Sequence, residues 1–192
     1  MTIKRRLKSK SGFTLAETLL AVLILMLVSL IVANGMPTVR NVYNNVIVGA
    51  NAQMLLSTSV TALRNELGTA RDIVVKNGTT VSYFNGNPNR QAYSKISLAT
   101  SAPNKIVVDP YINSLDKTTP LSGSKQRDLV SYAASNKDLY ITYEKVEYDG
   151  TNDSDIIVFK NLEVKRINDS SSTLASLSEL KIRLIPVSAS VV

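Results

Sequence analysis

Residues 11–20 have the sequence SGFTLAETLL and open the segment that decides the fold. From Thr18 to Val39 there are 22 consecutive residues without a charged side chain. As an α-helix, such a run would be about 33 Å long, close to the ~30 Å hydrocarbon core of a bilayer. It therefore predicts a membrane-spanning helix. Glu17 directly precedes the run, although a carboxylate within a membrane helix costs about 2.5–3.5 kcal/mol and usually has a partner.

The first twelve residues carry five basic side chains and no acidic one. A positive flank stays on the cytoplasmic side of a membrane helix, so we expect the chain after Ala33 to lie outside the cytoplasm. Without this leader, seventeen basic and fifteen acidic residues remain. The net charge of +7 is therefore mainly a property of the leader, and it gives little support for DNA as a partner.

The chain contains neither cysteine nor histidine. This excludes disulfides, thiolate metal sites, cysteine nucleophiles and a Ser-His-Asp triad. No constellation of carboxylate, lysine or tyrosine side chains suggests a catalytic site. We therefore expect neither an enzyme nor a bound cofactor.

Three interpretations compete for residues 1–33. A secretory signal peptide would have an apolar region of about 7–15 residues followed by a cleavage site of small residues, and the run here is longer. A simple signal anchor accounts for the length and the orientation of the segment but not for Glu17. The third interpretation rests on a resemblance to a known family.

Residues 11–17 resemble the signal of type IV prepilins, in which a basic leader ends in glycine and the mature chain begins with Phe-Thr-Leu-x-Glu and an apolar helix. The resemblance implies cleavage after Gly12 by a membrane-embedded prepilin peptidase. It also implies N-methylation of Phe13 and retention of the helix in the mature protein. Glu17 then occupies the fifth mature position, where the family carries the glutamate that pairs with the methylated amino terminus of a neighbouring subunit.

This resemblance implies a structural subunit of a type IV pilus or a related pseudopilus. Its implied partners are other pilin subunits, the prepilin peptidase, the assembly platform and its ATPase, and the cytoplasmic membrane. The alternatives are a major pilin, a minor pilin, and a pseudopilin of type II secretion or of competence for DNA uptake. Residues 52–72 are similar to the second helical half of J-type minor pseudopilins, which favours a minor subunit. A single-pass membrane protein before assembly and a surface or periplasmic filament afterwards are the implied locations.

Physical chemistry offers Glu17 two roles. In an apolar filament core its attraction to an amino terminus would be poorly screened by solvent. Alternatively, it is simply an acidic residue favoured at a helix amino terminus by the helix dipole. Thr14 or Ser11 is the candidate cap of that helix.

The helix is expected to change character at Asn34-Gly35-Met36-Pro37. Pro37 lacks a backbone donor and clashes with the preceding turn, and Gly35 lowers helix preference further. We therefore predict a kink or a locally melted turn at residues 33–37. Beyond it, apolar residues spaced by three and four predict an amphipathic helix that rests on a sheet and ends near Gly68 to Asp72. This stripe comprises Val39, Val42, Tyr43, Val46, Ala50, Met54, Leu56, Val60, Leu63, Leu67 and Ala70. Glu66 is assigned to the opposite, polar face.

Beyond residue 72 the pattern changes to alternation, which predicts strands. Asn77-Gly78, between two such runs, is a strong hairpin signal. Surface loops are expected at residues 85–89 and 109–125, and a mobile Ser-rich segment at 169–178. The predicted strands are 73–75, 79–84, 92–98, 105–108, 129–132, 139–148, 156–159, 162–167 and 180–187.

These elements predict an α+β fold of the type IV pilin kind, in which one long N-terminal helix, kinked near Pro37, packs on a mainly antiparallel sheet. The predicted organisation is a cytoplasmic leader (1–12), an apolar helix half (13–36), an amphipathic helix half (37–72) and a β-rich domain outside the cytoplasm (73–192). Leu180, Ile182 and Leu184 should share one face of the last strand.

Two further groups of residues were weighed as binding sites. Asp149, Asp153 and Asp155 are a weak calcium candidate, since Ca²⁺ takes about six to eight oxygen ligands. Their spacing does not fit the EF-hand loop, so a solvated hairpin turn is the preferred interpretation.

Tyrosines near Lys137, Lys145 and Lys160 could stack on single-stranded nucleic acid, but packing within the sheet is favoured. These tyrosines are Tyr83, Tyr93, Tyr132, Tyr140, Tyr143 and Tyr148.

Overall fold

The computed structural model describes residues 14–86, 92–117, 119–123, 125–130, 138–150 and 155–185. The chain divides into one unit up to Val46 and a second from Ile47. Helix α1, Leu15–Leu67, begins in the first unit and ends in the second. It is helical through residues 33–37, with Pro37 inside it. The locally melted turn predicted there is therefore absent from this structure, since the neighbouring turns on both sides hold the helix across the one missing donor.

Only Leu63, Leu67 and Ala70 of the predicted helical stripe are buried. The buried residues of α1 recur every three or four positions and are Ala52, Leu55, Ser59, Leu63 and Leu67. The buried face therefore includes Ala52, Leu55 and Ser59, which the predicted stripe did not contain. Val39, Val42, Tyr43 and Val46 are 59–65% exposed, so the prediction that they rest on a sheet is wrong. Helical spacing identifies an apolar face, but it does not identify what covers that face.

The helix ends as predicted, just before Gly68. The Gly68 N–H donates to the Arg64 carbonyl at 2.8 Å, and the Ala70 N–H donates to the Leu67 carbonyl at 2.9 Å. These bonds satisfy two of the carbonyls that a helix leaves without intrahelical partners at its end. The chain then passes directly into the first strand.

Five strands form the first sheet, in the antiparallel order β1-β2-β3-β4-β5. They are β1 Arg71–Lys76, β2 Thr80–Phe84, β3 Tyr93–Leu98, β4 Ile106–Asp109 and β5 Arg127–Asp128. The predicted hairpin is confirmed, because Asn77 (φ 54°) and Gly78 (φ 66°) both have the positive φ of a type I′ turn.

Four strands form the second sheet around a central strand, β8. They are β6 Leu139–Thr142, β7 Lys145–Asp149, β8 Ile156–Arg166 and β9 Asp169–Arg183. β6 and β7 pair with opposite halves of one edge of β8, and β9 runs along its other edge. The β-rich region therefore contains two antiparallel sheets rather than the single one expected.

Several predicted strand boundaries are wrong. The segment 139–148 is two strands, interrupted at Tyr143 and Glu144. Segments 156–159 and 162–167 belong to one strand, which accommodates a positive φ at Asn161. The strand predicted at 129–132 lies at Arg127–Asp128 instead, and Tyr132 is outside the described residues.

The largest error concerns the Ser-rich segment 169–178, which forms most of β9 instead of a mobile loop. Its composition is polar, but strand formation depends on pairing as much as on side-chain preference. β8 supplies that pairing along its whole length.

The core lies between the second half of α1 and the two sheets. Tyr83 and Phe159 are its largest fully buried side chains, and Leu180, Ile182 and Leu184 share a buried face as predicted. These elements establish an α+β fold in which the helix packs against antiparallel sheet.

The two sheets are also joined by polar contacts. The Tyr143 hydroxyl donates to the Thr79 carbonyl at 2.5 Å, and the Val146 N–H donates to the Gly78 carbonyl at 2.6 Å. Burial raises the pKa of Tyr143. Tyr143 also meets Phe159 edge to face, with ring centroids 5.2 Å apart. The turn between β1 and β2 is thus fixed against the second sheet.

Candidate functional site

Thr14 and Glu17 form a capping box at the start of α1. The Thr14 N–H donates to Glu17 Oε2 at 2.8 Å, and the Glu17 N–H donates to Thr14 Oγ1 at 3.3 Å. The Thr14 hydroxyl also donates to Glu17 Oε2 at 3.0 Å. Each residue therefore satisfies a backbone donor that the helix start would otherwise leave without a partner.

This geometry places the Glu17 carboxylate at the amino-terminal end of the apolar helix, where the helix dipole favours it. Thr14 is the cap, and it is one of the two residues that the sequence suggested for this role. Gly12, Phe13 and the other candidate cap, Ser11, lie outside the described residues. Both Thr14 and Glu17 are exposed, so the carboxylate is accessible to a second chain.

The first part of α1 offers an exposed and mainly apolar surface. Every described residue from Thr14 to Val46 is exposed. Among the described helices, α1 alone is long and apolar enough to cross a membrane. Within the described part of the first unit, Glu17 and Arg40 are the only charged residues. Such a surface is typical of a segment that contacts lipid or another protein.

Glu66 joins the helix to the first sheet in a way that the sequence pattern did not indicate. Its side chain accepts hydrogen bonds from the Tyr83 hydroxyl at 2.9 Å, from Asn85 Nδ2 at 3.2 Å and from an Arg127 guanidinium nitrogen at 3.2 Å. The Glu66 side chain is only 13% exposed, so its assignment to the polar face was wrong. Burial, reinforced by the Glu66 carboxylate, raises the pKa of Tyr83 well above its usual range.

A second polar cluster fixes the segment between β4 and β5. Lys117 Nζ lies 2.5 Å from the Asp72 carboxylate and 5.3 Å from the centre of the Tyr93 ring. The Tyr93 hydroxyl donates to the same carboxylate at 2.5 Å. The bonds from Lys117 and Tyr93 lower the pKa of Asp72. This cluster joins Lys117, in the segment between β4 and β5, to Asp72 of β1 and Tyr93 of β3.

The weak calcium candidate gains no support from the described residues. Asp153 lies outside them, and the Asp155 carboxylate accepts a hydrogen bond from the Tyr148 hydroxyl at 2.9 Å. Burial and this bond raise the pKa of Tyr148. In the described part of the chain, no cluster of three side chains of metal-binding type is present.

The tyrosines contribute mainly to packing. Tyr83, Tyr140 and Tyr143 are at most 7% exposed. Lys145 and Lys160 both pair with Glu147, at 2.7 and 2.9 Å. Lys137 and Tyr132 lie outside the described residues. The described residues therefore present no aromatic platform flanked by unpaired lysines of the kind that binds single-stranded nucleic acid.

Comparison with known proteins identified no relative. No protein-family model, no curated protein and no solved structure matches this chain.

Proposed function

We propose that this protein is a structural subunit, and specifically a minor pilin, of a type IV pilus or related pseudopilus. The observation that carries the proposal is the contiguity of the prepilin-like motif at residues 11–17 with an apolar helical segment whose described residues are all exposed up to Val46. In a filament of this kind the helix has two successive roles. It anchors the subunit in the membrane before assembly, and it packs against neighbouring helices afterwards.

The exposed stripe beyond Pro37 supports this proposal. Val39, Val42, Tyr43 and Val46 continue the apolar surface for more than two helical turns past Pro37. An apolar surface in water is unfavourable in proportion to its area. Contact with helices of neighbouring subunits would cover it, and a simple membrane anchor has no need of it.

The capping box supports the proposed assembly contact, because it holds the Glu17 carboxylate at the start of the helix. Glu17 bonds the backbone nitrogen of Thr14, the second residue of the proposed mature chain. The methylated amino group of Phe13 in a neighbouring subunit is the proposed partner of the Glu17 carboxylate. In a filament core with little water, an unpaired carboxylate would be strongly unfavourable. The pair would therefore select one axial position of each new subunit.

The runner-up is a pseudopilin of type II secretion or of competence for DNA uptake. Both share the proposed anchor and assembly contact with a pilus subunit, and they differ in what the β-rich region touches. The similarity of residues 52–72 to J-type minor pseudopilins favours a minor subunit. Genes for an assembly ATPase, a prepilin peptidase and sibling prepilins beside this gene would identify the machine.

Co-expression with a prepilin peptidase tests the proposal. We expect the full-length chain to lose residues 1–12 only when the peptidase is present, because the motif at residues 11–17 is the proposed substrate. Gly12→Val should remain uncut, since the family leader ends in glycine. Inserted chain that is never shortened, or that is shortened equally in Gly12→Val, would rule the proposal out.

A further inference from the structure

Two charged residues of opposite sign stand alone on a long uncharged part of α1. Glu17 and Arg40 are separated by 22 uncharged residues, and the next charged residue after Arg40 is Arg64. Both side chains are exposed, and neither has an ion-pair partner among the described residues. An unpaired charge in apolar surroundings is strongly unfavourable. A helix that enters a filament core therefore needs partners for both of these charges.

The Glu17 carboxylate has room for a further donor. Its bonds within the chain come from the Thr14 N–H at 2.8 Å and the Thr14 hydroxyl at 3.0 Å, and both are accepted by Oε2. Within the described part of the chain, Oε1 accepts no hydrogen bond. A carboxylate offers about four acceptor positions. Glu17 can therefore accept a guanidinium while it also binds an amino terminus.

Arg40 lies in an open groove on the helix surface that contains no countercharge. The groove has a volume of about 380 Å³, enough for a carboxylate side chain from another helix to enter. Its lining consists of one cation, two amides and three apolar residues. These residues are Arg40, Asn41, Asn44, Ala33, Met36 and Pro37. The only charge in the groove is positive, so it is complementary to a carboxylate.

Helix geometry determines how two copies bring these charges together. Glu17 and Arg40 are 23 positions apart in the sequence, which corresponds to about 35 Å along the helix axis. At about 100° of rotation per residue, their side chains leave the helix about 140° apart, on nearly opposite faces. One helix can therefore present Glu17 to one neighbour and Arg40 to another neighbour at the same time.

We infer that Arg40 of one copy binds the Glu17 carboxylate of a second copy, which lies parallel to the first and is shifted by about 35 Å along the helix axis. The guanidinium suits this role, because it binds carboxylates through two parallel hydrogen bonds. The two groups lie on different faces, so the contact is heterologous and passes from copy to copy. The inference rests on the proposed filament function, and it gives Glu17 a second partner besides the amino terminus of Phe13.

Cysteine crosslinking tests this register, because the natural chain has no cysteine. Ala21 and Asn44 lie one turn beyond Glu17 and Arg40 on the same faces, and both are exposed. In the inferred contact Ala21 of one copy lies level with Asn44 of the next, within the Cα separation of about 7 Å that a disulfide allows. A full-length chain carrying both Ala21→Cys and Asn44→Cys should therefore give a ladder of oligomers when sheared filaments are mildly oxidised.

Two control chains make this result specific. Ala21→Cys alone should stay monomeric. Ala21→Cys combined with Ala33→Cys, also an exposed position, places the cysteines of neighbouring copies about 16 Å apart in height. It should give at least about tenfold less crosslinked product. No ladder from the chain with Ala21→Cys and Asn44→Cys, or an equal ladder from the control, would overturn the contact.

Arg40→Gln provides a second measurement. It should lower the amount of chain in sheared filaments relative to membranes by about five- to tenfold, because it removes the charge that Glu17 binds. Arg64→Gln, at an exposed position of the same helix, is the matched control and should have no effect. Arg40→Lys keeps the charge and should recover most of the loss. Added to Glu17→Gln, Arg40→Gln should cost less than about a further twofold, since the pair is already broken.

The outcomes separate this contact from the proposed function. Losses from Glu17→Gln and Arg40→Gln that multiply would overturn the contact. So would an Arg40→Gln chain that is lost from membranes but enters filaments in the normal ratio, because Arg40 would then bind lipid phosphate. If the leader is removed and filaments form without the ladder, only this contact is wrong. If the leader is never removed, the proposed function is wrong and the contact fails with it.

Discussion

A chain carrying Glu17→Gln should insert into the membrane and lose its leader normally, yet enter filaments at least about tenfold less than the natural chain, which corresponds to about 1.4 kcal/mol. Glutamine can still accept the Thr14 N–H, so the capping box is largely preserved. It has no charge to attract a methylated amino terminus. The measurement is the ratio of the amount of this chain in sheared filaments to its amount in membranes.

Thr14→Ala provides the matched control for this prediction. It removes the hydroxyl that accepts the Glu17 N–H, at a typical cost of about 1 kcal/mol of helix stability, but it keeps the carboxylate. We expect it to enter filaments almost normally. If Thr14→Ala fails and Glu17→Gln succeeds, then Glu17 acts as a cap and the proposed pairing is wrong.

Glu66→Ala should destabilise the β-rich region by about 2–4 kcal/mol, because it removes the acceptor that three hydrogen-bond donors share, two of them on buried residues. The donors are the hydroxyl of the fully buried Tyr83, the amide of Asn85 and the guanidinium of Arg127. Urea unfolding of the full chain in mild detergent, followed by tyrosine fluorescence, measures the loss. Leader removal should be unaffected.

Two neighbouring substitutions show whether the effect belongs to this network. Asn65→Ala changes an exposed position one residue away and should shift the free energy of unfolding by less than about 0.5 kcal/mol. Arg127→Ala removes a donor whose side chain is 39% exposed, so its cost should be about 1 kcal/mol or less. A Glu66→Ala variant as stable as Asn65→Ala would show that the network does not hold the helix to the sheet.

Local signals in the sequence predicted the local features well. Asn77-Gly78 was identified because few residues tolerate a positive φ at two successive positions. Composition and spacing likewise predicted the end of α1 near Gly68. They also predicted the shared face of Leu180, Ile182 and Leu184. Each of these depends on a few adjacent residues.

Features that depend on distant partners were predicted poorly. The Ser-rich part of β9 forms a strand because β8 lies beside it, and its own composition gives little indication of this. Glu66 lies on a helix face whose sequence pattern is polar. In the folded chain its carboxylate is bonded by Tyr83, Asn85 and Arg127, which are 17 to 61 residues away in the sequence. Val39, Val42 and Val46 have the spacing of a buried stripe, yet no described residue of their own chain covers them.

The candidate assembly site was predicted from the motif at residues 11–17, and the structure added the bonds between Thr14 and Glu17. Spacing alone allowed that capping box, since a threonine followed three positions later by a glutamate is its usual signature. Neither sequence nor structure of one chain contains the neighbouring subunit, so the pairing with Phe13 remains a prediction.

Mass spectrometry of the amino-terminal peptide from assembled protein tests the central claim most directly. If this chain is a pilin-like subunit, the mature protein begins at Phe13, and that residue carries an N-methyl group. A peptide that still contains residues 1–12 in assembled material would contradict the account.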